Sequence, residues 1–278
     1  MNDVVQAAVV SFHTTKNPKE NLAVVETYIK LAKSRGAEWV FLPELWTHRS
    51  VDQNEFLASS KYVSDTMLAS VCELAKTYSI SIFAGTWTET SNHPTKFYNT
   101  QYVIDSQGTC IAKYQKVHLF SILPNDQNGY SETKRYVPGD KVTTFSHQDW
   151  NIGLSTCFDL RFPSFYEKLC ECKPLDVITV PSGFLERTGK YHWEPLLKAR
   201  AIENQCYIIA SNKIGKHEDP RIDKFYGHSM IIDPWGEIVL NSLEETGVFF
   251  ATISKSKLEE VRRQLPLREV KSCKTQIY

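Results

Sequence analysis

Three polar residues lie where the sequence pattern expects a buried strand to end. In "LSTCFDLRFP" (154–163), Ile152 and Leu154 belong to an apolar strand that ends at Cys157. Asp159 and Arg161 follow at once, and Pro163 opens a helix. A thiol at the end of a buried strand, beside charges and a helix start, is placed for nucleophilic chemistry. An unassisted thiol has a pKa of about 8.5 and is mostly protonated at neutral pH. A nucleophilic Cys157 therefore needs a base or a cation beside it. Glu44 closes "VFLPELW", and a carboxylate just beyond a buried strand is costly unless it is paired or used. Lys116 marks the strand end in "CIAKYQKVHLF", where Tyr114 to Leu119 mixes charge with apolar residues. The carboxyl ends of strands are where α/β sheets build their sites. Each residue also has an ordinary reading: a packed Cys, a Glu in a loop after proline, a Lys snorkelling among aromatics.

Positioning such residues requires a regular scaffold, and the chain supplies one. "VVQAAVVSF" is strand-like. Asn17 then caps a helix, with Pro18 in its first turn and Glu20 at the capping-box position. Leu22, Val25, Ile29 and Ala32 recur at helical spacing until Gly36. A second helix is predicted over about Ser64 to Tyr78, with Leu68, Val71 and Leu74 inward, and "ISIFAGTW" is the next strand. The later half repeats the rhythm. "NIGLSTC" is a strand, Pro163 to Cys172 a helix, "DVITVP" a strand, "YHWEPLLKARAIENQ" a helix and "CYIIASN" a strand. "YNTQYVIDSQGTCI" (98–111) and "YGHSMIIDPWGEIV" (226–239) share Tyr, Ile-Asp and Gly at the same offsets. Each reads as a strand, a tight Asp-x-x-Gly turn and a returning strand, which predicts two similar halves. The expected architecture is a single α/β domain over 1–278, helices outside and sheets inside, with a possible extended arm over 265–278.

The bulk numbers narrow the function. The 278 residues, 42 % of them hydrophobic, suffice for a sizeable core. Lys+Arg and Asp+Glu each number 32, so charge offers no case for nucleic acid or an acidic membrane surface. No apolar run approaches membrane-spanning length. "MNDVVQAAVVSF" lacks the positive charge of a signal peptide, and seven cysteines, an odd count, suggest free thiols; both point to the cytoplasm. Cys170 and Cys172 have no second Cys or His pair to complete a zinc site, so no metal is expected.

Taken together, "FLPELW", "KYQKVHLF" and "LSTCFDLRFP" resemble, in order, the motifs of the nitrilase or carbon–nitrogen hydrolase superfamily. "YSETKRYVPGD", "HWEPLLKARAIENQCYIIASN" and "YGHSMIIDPWGE" extend the likeness over nearly the whole chain. The resemblance implies an α-β-β-α sandwich and an amidase with no metal and no organic cofactor. It implies Glu44 as base, Lys116 as oxyanion stabiliser, Cys157 as nucleophile and Glu132 of "YSET" as a second acid. The Phe158 backbone N–H would join Lys116 in the oxyanion hole. A small primary amide would acylate the thiol, release ammonia and leave a thioester for water to hydrolyse. The run "KARAIENQCYIIASNKIGKH…YGHSMIIDPWG" is most similar to the deaminated-glutathione amidase branch, with ω-amidases acting on α-ketoglutaramate as the alternative. "HLFSILPNDQNGY" and "PSGFLERTG" depart from the usual pattern in what read as pocket loops.

Arg161, four residues past the nucleophile, is expected to grip a carboxylate on the substrate, with Phe184 and Thr188 lining the same pocket. A structural ion pair with Asp159 is the competing reading for Arg161. A homodimer or larger assembly is expected from the helix at Pro163 and the C-terminal arm. Phe162, Phe165 and Tyr166 cluster at that helix, although they could equally pack within the chain. Other readings stay open: a Cys–His hydrolase using His118, His192 or His228, a thiol redox sensor, or a non-enzymatic scaffold of the same fold.

Overall fold

The structure, a computed structural model, describes residues 3–123, 129–171, 173–216 and 224–267. The chain builds two halves of the same design. The first runs β1 (Val4–Ser11), α1 (Pro18–Ser34), β2 (Trp39–Phe41), α2 (Gln53–Tyr78), β3 (Ser81–Thr90), β4 (Phe97–Ile104) and β5 (Cys110–Gln115). A short hairpin of β6 (Ser121–Ile122) and β7 (Tyr130–Ser131) links it to the second half. There follow β8 (Thr143–His147), β9 (Trp150–Leu154), α3 (Pro163–Leu169), β10 (Val177–Thr179), α4 (Glu186–Asn204) and β11 (Tyr207–Ala210). The chain ends through β12 (Ile214–Gly215), β13 (Phe225–Tyr226), β14 (Met230–Ile232), β15 (Ile238–Asn241), β16 (Gly247–Ser254) and α5 (Lys255–Gln264).

The two six-stranded sheets have matching topology. In β16-β1-β2-β3-β4-β5, strands β1 to β3 are parallel and the rest antiparallel. In β8-β9-β10-β11-β14-β15, strands β9 to β11 are parallel and the rest antiparallel. Alternation in β1 shows how the layers form. Val5, Ala7 and Val9 face the second sheet, in one core with Ile152, Leu154, Val177 and Ile208. Ala8 and Val10 face the other way, against Val25 and Ile29 of α1 and Val63, Met67 and Val71 of α2. Both faces are dry, so the strand reads as a continuous apolar run. Helix α4 covers the outside of the second sheet through Trp193, Leu197 and Ala201. The fold is the α-β-β-α sandwich expected from the resemblance.

The repeated Asp-x-x-Gly turns are the same structure twice. Asp105 Oδ1 accepts from the N–H groups of Gln107 and Thr109, each at 2.9 Å. Asp233 Oδ1 does the same for Trp235 and Glu237, again at 2.9 Å. Several local expectations differ in detail. Helix α2 starts at Gln53, capped by Asp52, whose side chain accepts from Glu55 N–H at 2.8 Å; the polar Ser60 on its inward face, bonded to His48, hides the apolar period in sequence. Asn17 caps α1 through Lys19 N–H at 3.0 Å, but there is no capping box. Its own N–H goes to Thr15 Oγ1, and Glu20 receives its side-chain amide instead. Strand β9 stops at Leu154, and α3 ends at Leu169. Cys172, Cys273 and residues 268–278 of the expected arm lie outside the described residues.

Candidate active site

Each site residue follows the end of a strand, and each is held by contacts remote in sequence. Glu44 comes three residues after β2. Its segment presses onto Gly85, where a Cβ would sit 2.0 Å from the Pro43 carbonyl oxygen; Gly85 also has a φ of +57°. Only glycine admits that approach. Leu45 N–H then donates to Thr86 Oγ1 at 2.9 Å. Lys116 directly follows β5, between Tyr114 and His118, both of which bond to Asp159. Cys157 opens a short 3-10 turn, Cys157–Arg161, in the left-handed region at φ +47°. A non-glycine residue in that conformation stores local strain, which is common where a turn must aim a side chain.

Asp159 ties the Lys116 and Cys157 segments together. It is wholly buried, and Oδ2 accepts from Tyr114 OH at 2.6 Å and Thr156 N–H at 2.9 Å. Oδ1 accepts from His118 N–H at 3.0 Å and meets His118 Nδ1 at 2.8 Å. Behind the same turn, buried Arg200 of α4 donates from Nε and Nη2 to the Leu160 carbonyl at 3.2 and 3.0 Å.

The structure brings Glu44, Lys116, Glu132 and Cys157 into one buried cluster. Lys116 Nζ donates to Glu44 Oε1 and to Glu132 Oε2, both at 2.8 Å. Glu44 Oε1 also accepts from Asn99 Nδ2 at 2.9 Å, and Oε2 accepts from Gly183 N–H at 2.8 Å. Glu132 Oε2 takes a further bond from Phe120 N–H at 2.7 Å. Burial works to raise the Glu44 pKa, but Lys116 and a hydrogen bond from the Cys157 thiol outweigh it, and the carboxyl is held below its ordinary value. Burial disfavours charge on Lys116 too, yet the two carboxylates keep its pKa well above normal. Glu132 is pushed up by burial and by the Glu44 charge, against the pull of Lys116. Burial, then the Glu44 charge, raises the Cys157 pKa, so the resting group is a thiol. The result is a neutral thiol hydrogen-bonded to an ionised carboxylate.

A cavity of about 80 Å³ opens over this cluster and is lined by Glu44, Cys157, Phe158, Arg161, Phe184 and Thr188 among others. The Phe158 N–H has no acceptor among the described residues, as the first turn of a helix leaves its amides free. Arg161 does not pair with Asp159. Its Nη1 meets His192 Nδ1 at 3.1 Å, and its guanidinium lies 4.9 Å from the Phe184 ring centroid. Among the described residues no carboxylate faces it at ion-pair distance. His118, His192 and His228 are engaged by Asp159, Arg161 and the Tyr226 carbonyl respectively. Phe165 and Tyr166 are buried and Phe162 stacks on His118, so the aromatic group at α3 packs within the chain. That removes the exposed patch on which the assembly expectation leaned.

Sequence reasoning missed Asn99, Gly183 and Lys213. Lys213 follows strand β11 at the end of "CYIIASNK", the same strand-end signal that marked Glu44 and Lys116. Its Nζ donates to the Leu45 carbonyl at 3.2 Å. Burial, then the charge of Arg49, pushes its pKa down to about 7. Among the described residues no His, Cys, Asp and Glu cluster could hold a metal ion, and no helix is long and apolar enough to cross a membrane.

The family described as Carbon-nitrogen hydrolase matches residues 4–263, and the chain belongs to that family. Among its relatives is a deaminated glutathione amidase of Synechocystis, 38 % identical over 263 residues, covering 94 % of this chain and 95 % of the relative. A deaminated glutathione amidase of Bos taurus is 33 % identical over 264 residues, covering 94 % of this chain and 80 % of the relative. Saccharomyces cerevisiae Nit3, a member of branch 10 of the nitrilase superfamily, superposes with a TM-score of 0.84 at 26 % identity, over 99 % of this chain and 97 % of that one.

Proposed function

We propose that this carbon–nitrogen hydrolase is a thiol amidase that cleaves a small carboxylate-bearing amide, of the kind named for its deaminated glutathione amidase relatives. The observation that carries the reading is the Glu44 carboxylate, hydrogen-bonded to both the Lys116 ammonium and the Cys157 thiol at the floor of a cavity. Glu44 takes the thiol proton as sulfur attacks the carbonyl carbon. The oxyanion that forms is met by Lys116 and the Phe158 N–H, donors fixed before the reaction begins. Glu132 holds Lys116 from its far side. The C–N bond breaks as Glu44 returns its proton to the nitrogen, which departs as ammonia or an amine. Glu44 then deprotonates a water, which releases the acid from the thioester and frees the thiol. A buried, neutral thiol suits this cycle, because the base acts only as attack begins.

On the acid side, Arg161 binds the carboxylate with Phe184 and Thr188 beside it. Two observations support this: Arg161 faces the cavity, and its guanidinium is without a carboxylate partner among the described residues. The protein is proposed to work as a homo-oligomer in the cytoplasm. The described cysteines are all free, which supports a reducing compartment. Intact-protein mass spectrometry during turnover of α-ketoglutaramate and deaminated glutathione tests the chemistry. An acyl adduct on Cys157, absent in a folded and inactive Cys157→Ala variant, is expected. Near-wild-type turnover by that variant refutes the proposal.

A further inference from the structure

Arg161 is aimed by a single side-chain bond, and its partner is not an acid. Nη1 meets His192 Nδ1 at 3.1 Å. A guanidinium can only donate, so Nδ1 is the acceptor, in a neutral ring that carries its hydrogen on Nε2. Among the described residues Arg161 has no other hydrogen-bond partner. Its remaining contacts are aromatic, with the Phe158 and Phe184 ring centroids at 5.8 and 4.9 Å. The two rings limit the tilt of the guanidinium, and the bond to His192 fixes how its fork is turned. That bond leaves the Nη2 and Nε hydrogens for an anion.

The support behind this contact is firm. His192 belongs to α4, and its neighbour Trp193 is buried, lies 4.9 Å from the Phe184 ring and donates to the His228 carbonyl at 2.7 Å. Thr188, one turn earlier on the same helix face, lines the cavity over Cys157. Arg200, two turns later, donates to the carbonyl of Leu160, the residue before Arg161. Helix α4 therefore holds the Arg161 segment by backbone and side chain together. His192 itself is exposed and does not line the cavity, so it reaches a substrate only through Arg161. The chemical type of the partner matters. An acid at this position would hold Arg161 in an ion pair that an incoming carboxylate must displace, and a lysine would repel it. A neutral acceptor takes one hydrogen and leaves the positive charge uncompensated. We propose that His192 is a positioning residue for Arg161, and that its neutral imidazole sets the preference of the enzyme for carboxylate-bearing amides over neutral amides of the same length.

This inference rests on the reading of Arg161 as the carboxylate site, and the test separates the two. Glutaramate and pentanamide share a primary amide and one carbon chain, and differ in a carboxylate or a methyl group at the far end. The quantity read is the ratio of their kcat/KM values. His192→Ala should lower the ratio about tenfold, chiefly through KM for glutaramate, the worth of one aligned charge-assisted bond. His192→Asn, whose amide oxygen can stand where Nδ1 stands, should recover most of it. His192→Glu should fall below His192→Ala, because its carboxylate then competes with the substrate for Arg161. Calorimetric titration of glutaramate into Cys157→Ala, alone and combined with each His192 change, should give the same order in Kd without chemistry. Equal losses on both amides, or no recovery with asparagine, would reduce His192 to a structural residue and overturn the proposal. A ratio lost in Arg161→Lys but unchanged in every His192 variant overturns the role of His192 and leaves Arg161 standing. A ratio that Arg161→Lys leaves unchanged overturns the Arg161 reading and this inference with it. The expected order in Kd with no hydrolysis by wild type instead overturns the amidase reading and leaves His192 in its role.

Discussion

Replacing Glu44 by glutamine removes the proposed base while preserving shape, and the structure fixes what else should change. Besides the Cys157 thiol, Glu44 accepts from Lys116 and Asn99 at Oε1 and from Gly183 N–H at Oε2. A glutamine can keep its oxygen toward Lys116 and Asn99. Its NH2 then faces the Gly183 N–H, a donor against a donor, which costs about 1–3 kcal/mol for one unsatisfied buried group. Lys116 is not stranded, because Glu132 still lies 2.8 Å from Nζ. The stability loss should therefore stay below the roughly 3–5 kcal/mol typical of a buried pair broken outright. The rate should fall much further. Losing a positioned base costs about 10²–10⁴-fold, or about 3–5 kcal/mol of barrier. Single-turnover acylation, measured by rapid quench and mass spectrometry, reports the rate loss, and urea denaturation the stability loss. A folded Glu44→Gln enzyme that acylates within about tenfold of wild type would refute the assignment of Glu44 as base.

Three further outcomes are expected. Arg161→Lys should lower kcat/KM for carboxylate-bearing amides at least about tenfold more than for a neutral amide, since lysine loses the planar fork; equal losses on both would place Arg161 outside substrate binding. Asp159→Ala should cost about 3–5 kcal/mol in urea denaturation, because it leaves the buried donors of Tyr114, Thr156 and His118 without their acceptor; a loss under about 1 kcal/mol would mean the two loops hold without it. Lys213→Met should stabilise the fold more at pH 6 than at pH 9. The folded Lys213 titrates near 7 against an ordinary value of 10.5, so the unfolded chain binds more protons between those values and wild-type stability rises with pH across that window. Melting curves of the two proteins at both pH values check this, and a pH-independent difference would show that Lys213 titrates normally.

The sequence by itself determined the repeating scaffold and the residues with reason to be reactive. Period-two and period-3.6 patterns are local, so β1, α1 and the strands around Val40, Ile178 and Ile208 were legible. The twin Asp-x-x-Gly turns were legible for the same reason, since Asp105 and Asp233 bond only to their own loops. Glu44, Lys116 and Cys157 stood out because charge or a thiol at the end of an apolar run carries a desolvation cost that needs a purpose. What pairs with what was decided by the tertiary structure alone. Lys116 lies 72 residues from Glu44, and the Gly183 amide that orients Glu44 lies 139 residues away. The first turns of α2 were hidden because the inward position at Ser60 is polar and its buried hydroxyl meets His48, which lies outside the helix. Phe162, Phe165 and Tyr166 suggested an exposed patch, but His118 and Tyr114 pack on Phe162 and Phe165, and Tyr166 is buried with its hydroxyl at Ser155. The cavity of about 190 Å³ lined by Leu45, Arg135 and Lys213 is the furthest from local reading: Lys213 follows one sheet, Arg135 comes from the link between the halves, and both converge beside Leu45 of the other. Strand-end chemistry is written in hydropathy over a few residues, whereas charge balance and cavity shape are sums over segments that meet only when the two sheets close on each other.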